Sequence, residues 1–394
     1  MKRLIALSAF FACTILFAQP DTEVYTFNIE TEDGKIKLTN PRNISNNQGY
    51  DNQPSFYDNN TVLFASTRDG QTDILKFNIQ DGSTTSWITD TPTGSEYSPL
   101  RIPESEAISA IRLDLNGLQR LYEYDITNGT SKVLLKNEKI GYHVWYTSDM
   151  LVATVLKGDR MDLVTHYIAD TWPKTEQKNV GRSLQKIPNS KLVSYVSKEN
   201  NDNWELKSLN PITGATKRII SLGKIEDVCW LPNGTLIAGR GKNLLKFNPK
   251  TDKDWSLLQK FTDKNINNIT RLAVNKDASR LAFVAETSPE NIVQEQLDAY
   301  NARNIEAFLG TYTPDVEVYD FPNTLRYKGI QEMRKRYAGF FDTTPDLNCE
   351  IKNRIVIGNK VIDEEYITAN KNNFGAVAIY EVKNGKIAKV TFVR

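Results

Sequence analysis

The stretch PSFYDNNTVLFASTRDGQTDILKFNI, Pro54–Ile79, carries three short apolar runs separated by the polar turns DNN and RDGQT. Runs of this kind, bounded by Asp, Asn and Gly, read as strands joined by tight turns. TTSWIT follows as a fourth run. The apolar centres of the second run recur at Leu63, Ile108, Leu151, Leu192, Leu236 and Leu281, at steps of 45, 43, 41, 44 and 45 residues. One four-stranded sheet cannot bury both of its faces alone, so a repeat of this size implies stacked sheets, here an all-β six-bladed propeller.

The ends of the array differ from its middle. The last unit supplies two runs, TRLAVN and RLAFVAE, before Ser288 and Pro289, while EVYTFNI and KIKLTN precede the first unit unpaired. Joining them completes a sixth blade and removes an open sheet edge. The propeller is therefore expected over residues 19–287, with its sixth blade closed by residues 23–39.

Pro54–Ile79 resembles the WD-type PD40 repeat of TolB-like six-bladed propellers, and SPL at Ser98 and LPNG at Leu231 echo it. The resemblance implies a surface that binds a protein or cell-envelope partner, or a scaffold beside an enzyme domain. It implies no chemistry of its own.

Lys2 and Arg3 precede the apolar run of residues 4–18, which ends in Ala18. This reads as a secretory signal peptide, residues 1–18, and hence export to the periplasm or the outside. A membrane anchor fits less well because the run is short. Lipidation at Cys13 also fits less well, because the apolar run continues past it. Cys229 and Cys349 remain, too few for a disulfide framework. Lys plus Arg is 49 against 48 Asp plus Glu, which gives no footprint for nucleic acid.

From Pro289 the period stops. Ile292, Val293, Leu297 and Tyr300 fall at helical spacing, Asn304 is placed to cap a second helix, and GIQEMRKRYAGFF is a third. Alternating runs follow, with hairpin turns expected at Gly358-Asn359 and Asn384-Gly385. Helices first and an antiparallel sheet afterwards make residues 289–394 an α+β cone. NARNIEAFLGTYTPDVEVYDFPN, GIQEMRKRY and NGKIAKVTF resemble SnoaL-like and nuclear transport factor 2-like proteins, the superfamily that includes ketosteroid isomerases. The resemblance implies a cone with one open mouth lined by apolar and aromatic groups.

It also places Asp320 where the isomerases keep a general base. Gln296 stands where they keep an oxyanion-binding tyrosine, and Val377 about where a protonated aspartate would donate. Without those donors steroid isomerisation is not expected, because oxyanion stabilisation is usually the larger catalytic contribution. Asp320 is the candidate catalytic residue, with capping of a turn as its structural alternative. Tyr300, Tyr319, Tyr337, Phe341 and Tyr366 are the candidate pocket walls. The acidic run Asp363, Glu364, Glu365 lies in a strand, whose alternation separates Glu364 from the other two, and a solvated face is expected there.

The two histidines, His143 and His166, do not stand at metal-ligand spacing, and the sequence holds no GxSxG and no phosphate-binding glycine loop. Asp69-Gly70 reads as a turn rather than a calcium loop. No metal or cofactor is expected. The sequence points to an exported binding or scaffold protein whose cone takes a small apolar ligand or forms a homodimer through its sheet. An enzyme working through Asp320 is the alternative.

Overall fold

The computed structural model describes residues 21–32, 35–47, 49–80 and 85–393. The expected signal peptide and Cys13 lie outside the described residues. Among the described residues between Thr22 and Glu286 the chain forms six four-stranded antiparallel sheets. The first comprises Asn52–Phe56, Thr61–Arg68, Gln71–Asn78 and Thr85–Trp87, and the next four follow the same hairpin order along the chain. The sixth is built from both ends: Thr22–Glu32 lies between Lys35–Asn43 and Arg280–Glu286, with Asn267–Val274 innermost. Each sheet packs on the next, and the sixth packs on both the fifth and the first, so the sheets close a ring.

Burial shows why the units cannot stand alone. Leu63 and Phe64 are successive strand residues and point to opposite faces, yet both are fully buried. Leu63 packs with Ile108 and Ala110 of the second sheet, and Phe64 with Val24 and Val284 of the sixth. Burying one such side chain stabilises the fold by about 1.5–3 kcal/mol. The turn residues have the conformations their types allow: Asp69 and Gly70 both have positive φ, at 50° and 84°, which makes them a hairpin turn.

The cone begins with α1 (Pro289–Asn301), capped by Ser288, and α2 (Ile305–Gly310), capped by Asn304 as expected. Then come β1 (Tyr312–Asp320), β2 (Thr324–Lys328), α3 (Ile330–Thr343), β3 (Asn348–Ile357), β4 (Lys360–Ala369), β5 (Asn372–Lys383) and β6 (Lys386–Val393). The sheet order is β2-β1-β6-β5-β4-β3, with β1 and β6 parallel. The helices cover one face, α1 over β3 to β6 and α3 over β1 and β2.

The two regions meet at Asp21. Its carboxylate accepts from the Thr287 hydroxyl at 2.5 Å and the Gly49 amide at 2.6 Å. A Cβ on Gly385, in the β5–β6 turn, would come within 2.8 Å of this carboxyl group, and its φ of 68° is one that glycine adopts without strain. Among the described residues no helix is long and apolar enough to cross a membrane.

Candidate functional site

Between the helices and the concave face of the sheet lies a cavity of about 330 Å³. Its apolar walls follow from helical and strand periodicity. Tyr300 on α1 and Tyr337 on α3 line it, in edge-to-face contact at 6.4 Å. Behind them Phe308 packs on Tyr337 at 4.7 Å and on Phe341 at 5.3 Å. Burial holds the Tyr337 and Tyr312 hydroxyls well above the usual tyrosine range, so both are neutral donors. Tyr312 lies near the Gln296 side chain, and Tyr337 near Tyr327.

β4 supplies the charge. Val361, Asp363, Glu365 and Ile367 all face inward on alternate residues and are buried. Asp363, 1% exposed, is clamped by Arg354, whose Nε and Nη2 each donate at 2.7 Å. Glu365, 6% exposed, lines the cavity, and the Tyr380 hydroxyl donates to its Oε1 at 2.7 Å. Burial and the adjacent Glu365 carboxylate raise Tyr380 well above the usual tyrosine range, so it remains a proton donor in this pair. Cys349 also lines the cavity, but burial pushes its thiol up to about 12, which leaves it protonated and a poor nucleophile.

The rim is basic. Arg326 on β2 and Arg336 on α3 both line the opening, with the exposed ring of Phe374 beside them. The Arg336 guanidinium lies over the Tyr327 ring at 4.5 Å.

Of the residues singled out by sequence, the structure gathers Tyr300, Tyr337 and Gln296 at the cavity. Asp320 shares the strand parity of buried Val316 and Val318 but is the last residue of β1. Its carboxylate is 46% exposed, is paired with Arg326 Nε at 3.2 Å, and is not part of the cavity lining. Tyr319 turns outward to Glu317 and lies beneath the Lys389 ammonium. Tyr366 is also outward, 41% exposed with Lys352 over its ring. Phe341 is in the core behind the cavity wall. Val377 alternates away from the buried Ala376 and Ala378.

The solvated face expected for the acidic run is corrected. Alternation does separate Glu364 from its neighbours, but the face it leaves to Asp363 and Glu365 is the inner one. The signal available in the sequence was parity: Val361, Asp363, Glu365 and Ile367 share one face of the strand. Among the described residues no group of three or more His, Cys, Asp or Glu could hold a metal ion.

Residues 293–390 match the SnoaL-like domain. The C-terminal region is a SnoaL-like domain. It is similar to a cystatin-fold protein from Novosphingobium aromaticivorans, with 24% identity over 27% of this chain and 99% of that one and a TM-score of 0.26. An NTF2-like protein from Cytophaga hutchinsonii is 17% identical over 27% of this chain and 88% of its own, with a TM-score of 0.24. The region before the SnoaL-like domain matches TolB propeller structures. A TolB candidate from Agrobacterium tumefaciens covers 68% of this chain and 99% of its own at 11% identity and a TM-score of 0.53, a likeness of fold. A search of curated proteins found no match.

Proposed function

We propose that the protein is an exported binding protein whose SnoaL-like domain takes up a small, mainly apolar molecule. Its six sheets act as the blades of one propeller that presents a surface to a protein or envelope partner. The observation that carries this reading is the cavity of about 330 Å³, walled by aromatic rings and holding Glu365 bonded to Tyr380. That size and lining suit a small ligand fixed by a few polar groups. Export rests on the apolar run of residues 4–18. The outer face of the cone sheet, where Ile355 and Ile357 are exposed, is the surface proposed for pairing with a second copy.

A catalytic reading is favoured by one observation, and it moves the chemistry from Asp320 to Glu365. A buried carboxylate facing a cavity has the environment of a general acid or base.

The test compares the full chain with Ile367→Trp, which fills the cavity from β4. Solvent extraction of both purified proteins followed by mass spectrometry should give at least one small molecule from the native chain that is missing from the variant. Identical extracts would contradict the reading.

A further inference from the structure

We propose that the ligand of the cone cavity is anionic at one end, an apolar body carrying a single carboxylate-like group that sits at the rim between Arg326 and Arg336. This inference rests on the cavity being the ligand site.

The cavity is electrically polarised along its depth. Its inner wall carries a carboxylate, Glu365, buried and committed to Tyr380. Its rim carries two guanidinium groups. An anion is repelled from the inner end and attracted to the outer one, so the charge distribution fixes which way round a ligand enters.

Both arginines are held ready for such a group. Asp320 takes Nε of Arg326 at 3.2 Å, which orients the guanidinium while its remaining N–H groups are still donors. That ion pair is partly exposed, and pairs of this kind contribute little net energy, so it does not cancel the rim charge for an incoming ligand. Arg336 is anchored differently, by stacking on Tyr327 at 4.5 Å. Stacking engages the face of the guanidinium and leaves its N–H edge for in-plane recognition of a carboxylate. Among the described residues no carboxylate lies within salt-bridge distance of Arg336. Asp320, assigned from sequence to proton transfer, becomes a positioning residue for Arg326.

Two dyes of nearly the same apolar body separate the possibilities. 1-Anilinonaphthalene-8-sulfonate carries an anion, and N-phenyl-1-naphthylamine is neutral. Each is titrated by fluorescence into the full chain, with Ile367→Trp as the control that locates the signal in the cavity. The expected result is tighter binding of the anionic dye by about tenfold, the worth of one charge-assisted hydrogen bond. Arg336→Gln and Arg326→Gln should each remove most of that preference, Arg336→Lys should keep part of it, and binding of the neutral dye should be unchanged in all three. Equal affinities for the two dyes, or a preference that survives both glutamine variants, would overturn the anion inference and leave the cavity site standing. If neither dye gives saturable binding sensitive to Ile367→Trp, the cavity reading falls, and this inference falls with it.

Discussion

Glu365 shows how a residue's setting outweighs its type. Its hydrogen bond from Tyr380 is made inside the fold, where an unpaired carboxylate oxygen costs more than in water. Tyr380→Phe should therefore lower stability by about 1–2 kcal/mol in urea unfolding. A second residue gives a pH dependence. Among the described residues neither buried carboxylate oxygen of Asp51 has a hydrogen-bond partner, and burial pushes this carboxyl up to about 8, with nearby Ser66 and Asn47 opposing only in part. The folded state then keeps a proton that the unfolded chain releases above about pH 4. Stability from this group is thus full below about pH 4 and is lost as pH rises toward 8. Asp51→Asn should flatten the fall in melting temperature between pH 5 and pH 8, as followed by thermal unfolding at several pH values. At this scale the sequence was partly legible. Tyr300 and Tyr337 lie on helix faces whose periodicity marks them as inward. Glu365 was hidden because an acidic triplet ordinarily means solvent, and its hydrogen-bond donor Tyr380 sits on another strand.

Elements fail at their closest approaches. Gly239, in the strand Leu236–Arg240, faces the Ile269 carbonyl so closely that an added Cβ would stand 2.1 Å from the oxygen. Gly239→Ala should destabilise by about 1–3 kcal/mol through forced backbone shifts. Gly310, at the end of α2, has nothing within 4 Å of an added Cβ. Gly310→Ala, measured in the same thermal unfolding assay, should be neutral or better. The pair joining β3 to β4 is a different case: Arg354→Met leaves Asp363 charged, buried and unmatched, and should cost about 3–5 kcal/mol. The helix start at Asn304 was readable because a capping side chain is a local signal. β2 was not read as a strand, because NTLRYK is short and polar and pairs in an edge position. The turn at Asn370-Lys371, with φ of 51° and 63°, was also missed, since Lys is an uncommon residue for that conformation.

For the whole molecule the repeat was the strongest signal, because the distance between stacked units is written along the chain as a period. The ring depends on one strand from the far end. Thr22–Glu32 is hydrogen-bonded on both sides, to Lys35–Asn43 and to Arg280–Glu286. Deleting residues 21–32 should expose Val284 and Phe283 and make the sixth sheet a target for limited proteolysis, while the first sheet loses the packing of Phe64 on Val24. The cone's inner chemistry was far less legible. It depends on which faces of α1, α3 and β4 converge, and no local pattern encodes that convergence. The proposed ligand site lies in the cavity beside Glu365 and not at Asp320. N-phenyl-1-naphthylamine titrated into the native chain, Asp320→Asn and Ile367→Trp tests it most directly. Equal binding by the native chain and Asp320→Asn is expected, with loss of binding in Ile367→Trp at unchanged melting temperature. Loss of binding in Asp320→Asn with retention in Ile367→Trp would contradict it.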